Sequence, residues 1–389
     1  MYDWFTIWSS IRILDWCLLG ALGVVFIYQC YFYIRYIGAV RRQAKRQQVT
    51  GCRLQVTGDE TPGVSVIVCA RNEAHNLETY LQALLTQDYP TFELIVVDDE
   101  SEDDTKLVLE RYAQQDKRVK LSFVPIGARV GSSKKLALTL GAKAAQYDYL
   151  LLTDADCVPK TTHWISAMMS GFQQGEHIEI VLGYGAYFYE KSALNRLIQY
   201  DTLFNGLHFL GAAITGCPYM GVGRNLAYRK STFFDHGGFT HLMDKIAGDD
   251  DLFVNQVATP RNTAVVVGED SITWSIPKHS WHTWKQQKQR HLSVSPFYKK
   301  TTQYRLCIEP MSRACFYGLI IAIAIVCPWF VIAAAGLLFL IRLLTQYITL
   351  HLSAKVMDQR GVGADLILLD ILLPVITLAL MTPKKSKHW

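Results

Sequence analysis

The stretch Trp16 to Ile34, WCLLGALGVVFIYQCYFYI, runs for 19 residues without a charge and is bracketed by Asp15 and Arg35. Away from water, such a run can satisfy its backbone N–H and C=O groups only as a helix. At ~1.5 Å per residue that helix spans about 28 Å, close to the hydrocarbon thickness of a bilayer. A signal peptide has a shorter apolar run and a small-residue cleavage site, whereas this run ends in bulky Tyr and Phe. It reads as a retained anchor. The basic cluster Arg41 to Gln48, RRQAKRQQ, comes next, and the positive-inside rule then places the following segment in the cytoplasm.

A second region, Ala314 to Ile341, is uncharged for 28 residues and is too long for one untilted span. Two readings fit it. Pro328-Trp329 breaks it into a tight hairpin whose second arm passes Arg342 to about Leu352, or it forms one long tilted span followed by a surface helix. Leu366 to Met381, weakened by Asp370 and Pro374, either spans or lies in the interface. The terminal KKSK prefers the cytoplasmic side.

The net charge of +5 over 389 residues is clustered beside these apolar runs. That fits a membrane surface, and no nucleic-acid-binding signature is present. Nine cysteines, odd in number and without a C-x-x-C pair, argue against a disulfide framework or zinc site and fit a reducing compartment.

From Thr61 to Asp156 short apolar runs alternate with helical periodicity. VSVIVCA (Val64 to Ala70), FELIVVDD, KLSFVP and YDYLLLTDAD read as strands, and SSKKLALTLGAKAA reads as a helix between the last two. Such alternation means a mostly parallel sheet, with ligands outside the carboxyl ends of its strands. Those ends carry Arg71-Asn72-Glu73, Asp98-Asp99 and Asp154-Ala155-Asp156. One aspartate at a strand end is usually a turn former; several converging on one edge make a site. Asp154 and Asp156, two apart, point the same way on an extended segment and suit Mg²⁺ or Mn²⁺ bridged to a diphosphate. Asp98-Asp99 on a neighbouring strand suits a base or ribose, and there is no Walker-type glycine loop to hold a triphosphate. Further on, the stretch GDDDLFVNQ sets Asp249, Asp250 and Asp251 side by side before a helical pattern, where capping is the plain reading.

The order VSVIVCARNE, ELIVVDDES, LLTDADCVP, GVGRNLAYRKSTFFDHGGF, GDDDL and QKQRH, from about Val64 to His291, resembles the membrane-bound, synthase-like family-2 glycosyltransferases. The resemblance implies a GT-A fold and inverting transfer of a sugar from a nucleotide-diphosphate sugar. It implies nucleoside contacts from Asp98, Asp99 and Glu73, metal and diphosphate contacts from Asp154 and Asp156, and a phosphate contact from Lys134, although the glycine usual before it is Ser133. Gly221, Arg224 and Asn225 fall in the segment that shapes the acceptor side. Asp250 falls where the family carries its general base, with Asp249 second. Read bare, SWHTWKQQKQRHLS is a basic, aromatic helix resting on the membrane surface through Trp281, Trp284, Lys285 and Lys288. The family's Q-x-x-R-W motif stands here as Gln287, Arg290 and His291, which keeps a phosphate clamp and puts acceptor stacking in doubt.

The organisation expected is an anchor over 1–40, a basic linker over 41–60, a GT-A domain over 61–280, an interfacial segment over 281–310 and membrane helices over 311–389. The function expected is transfer to a lipid, lipid-linked or oligosaccharide acceptor, with the catalytic domain on the cytoplasmic face of the inner membrane. The alternatives are a processive polysaccharide synthase and a non-catalytic nucleotide-sugar-binding scaffold. The scaffold reading is disfavoured because none of the motif acids is missing.

Overall fold

The computed structural model describes residues 12–49, 61–125, 127, 133–245, 247–361, 363 and 365–381. The terminal KKSK and the later half of the expected linker lie outside the described residues.

The anchor is one long helix. It comprises α1 (Ile13–Phe32), a π-helical turn over Tyr33–Ile37, and α2 (Gly38–Val49). The expected linker is therefore helical as far as residue 49. Its polar face has a use: Gln47 donates to Val265 O at 2.8 Å and accepts from the Val267 N–H at 3.1 Å. These bonds occupy the free edge of the sheet, which would otherwise invite pairing.

The domain follows as β1 (Val64–Ala70), α3 (Ala74–Leu85), β2 (Phe92–Asp98), α4 (Thr105–Gln115), β3 (Val119–Phe123), α5 (Ser133–Ala144), β4 (Tyr149–Asp154) and β5 (Cys157–Pro159). Then come α6 (Trp164–Ser170), β6 (Ile180–Leu182), β7 (Tyr184–Tyr187), α7 (Ala193–Ile214), β8 (Leu226–Arg229), α8 (Lys230–Asp235), α9 (Asp251–Val257), β9 (Thr263–Val265) and β10 (Ile272–Ser275). Seven strands form one sheet in the order β3-β2-β1-β4-β8-β6-β9, and β5-β10-β7 form a second. The first four strands are parallel; β1, β2 and β4 are covered on both faces, which is why they read as continuous apolar runs, while β3 at the edge is only partly covered.

Register explains the site. β1 pairs Ala70 with Asp98 on one side and Cys69 with Asp154 on the other, so three strands end level and deliver their acids to one edge. β8 runs antiparallel to β4, pairing Leu226 with Leu152. The segment entering β8, Gly223 to Asn225, therefore arrives at the edge that β4 leaves.

After α10 (Trp281–Leu292), α11 (Lys300–Val326) and α12 (Trp329–Val356) meet at Pro328, and α13 is Leu366–Leu380. Of the two readings of the second apolar region, the hairpin is the one adopted. Among the described residues, three helices, 13–48, 300–326 and 329–356, are long and apolar enough to cross a membrane. α13, with 15 residues, reaches only ~22 Å. Its Asp370 accepts from Arg342, Gln346 and Tyr317 at 2.7–2.9 Å and pairs with Arg313 at 3.0 Å, while Arg342 also donates to Gln29 of α1. The charge that weakens α13 as a span thus ties four membrane-side helices together. At the junction with the domain, α7 lies so close to the π turn that a Cβ on Gly211 would sit 2.1 Å from Tyr36 O.

Candidate active site

The loops after β1 and β2 are stitched to each other. The Asn72 N–H donates to Ser101 Oγ at 2.9 Å, Asn72 Oδ1 accepts from the Glu102 N–H at 2.8 Å, and the Glu73 N–H donates to Thr105 Oγ1 at 2.9 Å. Alternation along β2 then separates the two aspartates. Asp98 turns inward and accepts from the Ser101 N–H at 3.1 Å, so it shapes the turn and does not border the cavity, contrary to its expected nucleoside contact. Asp99 does border the cavity. Arg71 lies 3.9 Å from its Oδ2, and its buried Oδ1 has no hydrogen-bond partner among the described residues. Glu73 lines the same cavity, and burial pushes its carboxyl up against an opposing hydrogen bond from Asn76.

At the end of β4, Lys134 Nζ bridges Asp154 at 2.9 Å and Asp249 at 3.2 Å. Burial works against the Lys134 charge, yet Asp154, Asp249 and Asp250 hold its pKa well above the ordinary lysine value. Lys134 is thus locked between the β4 acid and the GDDD loop. That loop depends on Gly248, at φ +91°, where a Cβ would come within 2.5 Å of Leu252. It is also gripped from behind by Lys135, fully buried, whose Nζ donates to the carbonyls of Lys245 and Ala247 at 2.7 Å each.

The three neighbouring acids have three different settings. Burial raises Asp249, but Lys134, a backbone hydrogen bond and Lys135 together outweigh that and leave its carboxyl below the usual range. Asp250 accepts from the Gly223 N–H at 2.6 Å and from the Asp251 N–H at 2.8 Å. Burial and the Asp249 charge nevertheless push it up. Asp251 starts α9, is buried, and accepts from the Tyr298 hydroxyl at 2.8 Å. Burial and Asp250 push its carboxyl up to about 8. Asp249 and Asp250 face the cavity alongside Asp154 and Asp156.

Asp154, Asp156 and Cys157 bring potential ligand atoms within 4.8 Å of one another. The Cys157 thiol is buried, 2.8 Å from Ser275 Oγ, and burial raises its pKa well above the usual thiol value, so it stays protonated. The two carboxylates remain as hard oxygen donors. Burial and then the Asp154 charge push Asp156 up, a repulsion that a divalent cation relieves. The donor set fits Mg²⁺ or Mn²⁺.

Of the acceptor-side residues expected, only Arg224 reaches the cavity. It lies 4.3 Å over the Tyr187 ring. Asn225 is fully buried and spends every polar atom internally: it accepts from Trp164 Nε1 and donates to the carbonyls of Tyr184 and Ser271. Gly221 packs against Leu182, Leu226 and Val254. Both belong to the core, because the segment must close against two sheets before it can present Gly223 and Arg224.

Gln287 and Arg290 of α10 line the cavity, with Gln287 donating to the Tyr187 hydroxyl at 3.1 Å. Lys288, read from sequence as part of a membrane-facing surface, turns inward and pairs with Asp201 of α7 at 2.6 Å. Trp284 is buried with it, while Trp281 stays exposed. Sequence reasoning did not find Asp201, Tyr187, Lys135 or Tyr298; the spacing of Trp284 and Lys288, four apart, was the one available signal that they share a face. The cavity, about 1840 Å³, runs from Glu73, Asp99 and Asp156 past Asp250 and Arg290 to Met311 of α11 and Leu373, Thr377 and Leu378 of α13.

This chain resembles known proteins both in sequence and in fold. "Probable glycosyltransferase YdaM" of Bacillus subtilis is 26% identical over 239 residues, 59% of this chain and 54% of that one. "Poly-beta-1,6-N-acetyl-D-glucosamine synthase" of Staphylococcus epidermidis is 30% identical over 99 residues, 25% of this chain and 23% of that one. The chain thus spans about half or less of the length of these relatives. The solved mannosyltransferase PcManGT of Pyrobaculum calidifontis, in complex with GDP-Man and Mn²⁺, superposes with a TM-score of 0.56 at 17% identity, covering 94% of this chain and all of that one. That likeness shows the GT-A fold. The description "Glycosyl transferase family 2" matches residues 65–247, the stretch that holds β1 to β8, Lys134 and both β4 acids, and that stretch is a family-2 glycosyltransferase domain.

Proposed function

We propose that this protein is an inverting, metal-dependent glycosyltransferase that moves a sugar from a nucleotide-diphosphate sugar to a lipid or lipid-linked acceptor at the cytoplasmic face of the cell membrane. The observation that carries this reading is the continuity of the cavity, from the acidic strand ends to α11, where Leu306, Met311 and Ala314 stand beside Glu309 and Arg313, and to the mostly apolar flank of α13. A water-soluble acceptor has no need of a passage walled by membrane helices.

In this reading Asp99 and Glu73 hold the nucleoside, and Arg290, with Gln287 beside it, steadies the diphosphate. A divalent cation on Asp154 and Asp156 supplies charge neutralisation for the departing diphosphate. Asp250 takes the proton from the acceptor hydroxyl, whose oxygen bonds to the anomeric carbon as the carbon–phosphate-oxygen bond breaks on the opposite face. The electron pair leaves with the nucleoside diphosphate and the configuration inverts.

A second reading, repeated addition to a growing glycan, rests on the likeness to the poly-β-1,6-N-acetyl-D-glucosamine synthase. One experiment addresses both. Membranes containing the protein are incubated with UDP-glucose, UDP-N-acetylglucosamine and GDP-mannose, with and without Mn²⁺ or Mg²⁺, and the products are weighed by mass spectrometry. One sugar on a lipid-extractable product supports the first reading; a ladder supports the second. Metal-independent transfer, undiminished in Asp156→Ala, sinks the mechanism.

A further inference from the structure

The proton acceptor sits at the start of α9, a helix of seven residues, too short to hold its own position. Three bonds fasten this helix to the connector between α10 and α11. The Tyr298 hydroxyl donates to Asp251 Oδ2 at 2.8 Å, the Lys299 N–H donates to Asn255 Oδ1 at 2.8 Å, and Lys299 Nζ donates to Gln256 O at 3.1 Å. Asn255 Nδ2 also reaches Thr302 Oγ1 at 3.3 Å, in the first turn of α11, and Tyr219 O at 2.8 Å. Asp251, Asn255, Tyr298 and Thr302 are all buried, so the bonds among them are shielded from water, whereas the Lys299 Nζ bond to Gln256 O is exposed. On the other side, Asp250 is joined to the domain through the Gly223 N–H. The acid is therefore suspended between the catalytic domain and the root of the first membrane arm.

We propose that Tyr298 and Asn255 are positioning residues through which the membrane hairpin sets the place of Asp250 over the acceptor hydroxyl. Asn255 lies off the cavity, and Tyr298 borders it with its hydroxyl bonded to Asp251. They act by fixing α9, and with it the carboxyl at its cap. This makes seating of the α11–α12 hairpin in the bilayer a condition of catalysis, while the donor, held at the ends of β1, β2 and β4 and by Gln287 and Arg290 of α10, binds regardless. The inference rests on the reading of Asp250 as the base.

The test uses the full-length chain in bilayer discs. Tyr298→Phe removes one hydrogen bond and leaves the ring in place; Asn255→Ser removes the Lys299 and Thr302 contacts together with the bond to Tyr219 O. With whichever of the three donors above turns over, kcat falls about tenfold in each variant while the donor KM stays within about twofold. Amide exchange across 249–257 quickens in both variants, a readout that needs no donor. Unchanged exchange there, wild-type kcat in Tyr298→Phe, or an equal loss of donor affinity and kcat each overturns the proposal. Asp250→Asn separates the two readings. If it is active, the assignment of the base fails; if it is inert beside an unaffected Tyr298→Phe, only the strap fails.

Discussion

Two acids in a row, Asp98 and Asp99, look alike in the sequence and have different duties in the fold. Asp98 closes a turn with the Ser101 N–H, and Asp99 opens onto the cavity with an oxygen unpartnered. Asp99→Ala is expected to weaken nucleotide binding, measured by titration with UDP and GDP, with little change in melting temperature. Asp98→Ala is expected to cost about 1 kcal/mol of stability for its lost hydrogen bond. A similar contrast separates Asp249 from Asp250. A base acts in its ionised form, so activity rises with pH as Asp250 deprotonates. Burial and Asp249 push that carboxyl up, which puts the rising limb of the kcat–pH profile above the ~3.9 of an unperturbed aspartate. Asp249→Asn removes the neighbouring charge and is expected to move the limb to lower pH, while Asp250→Asn abolishes the transfer that the limb reports. Motif order points to the stretch that holds the proposed base, because motif order survives without geometry. It did not tell which oxygens were free, because that depends on backbone N–H groups from Gly223 and Ser101, far away or in a turn.

At the scale of the element, the strands of the parallel sheet were legible from apolar runs alone, and their level ends follow from register. The loops were less so. Asn225 looked like a site residue because its segment approaches the cleft, yet it bonds three groups of the core. Lys135 illustrates the reverse. Next to Lys134 and carrying the same charge, it is buried and holds two carbonyls of the segment before Gly248. Lys135→Met keeps most of the apolar stem and strands those carbonyls. The expected loss is about 1–3 kcal/mol in denaturant unfolding, accompanied by faster amide exchange over 244–251.

For the whole molecule, composition fixed the division into a membrane part and a domain, and Pro328 offered the hairpin without deciding it. What decides it is a set of contacts between distant residues. Asp370 joins Arg313 and Arg342, and Arg342 joins Gln29 of the anchor. No local pattern announces such pairing, since each residue taken alone reads as an interruption of an apolar run. Removing one partner leaves buried charges uncompensated, so Asp370→Ala is expected to destabilise the membrane part by about 3–5 kcal/mol. A thermal shift in detergent measures it, and Asp370→Asn, which keeps the hydrogen-bonding shape, loses less.

The π turn at Tyr33–Ile37 does something that neither half of the anchor does alone. An ordinary α-helix advances ~100° per residue, so one surplus residue rotates everything beyond it by about a quarter turn. Before the turn, Leu22 and Gln29 point toward the hairpin; beyond it, Val40 and Ala44 are buried in the core of the domain, and Gln47 meets its sheet edge. The turn works as a phase adjuster, a single-residue gear that lets one rod face two differently oriented partners. Deleting any residue between 33 and 37 would put the rod back into a single phase, correct for the bilayer or for the enzyme but not for both.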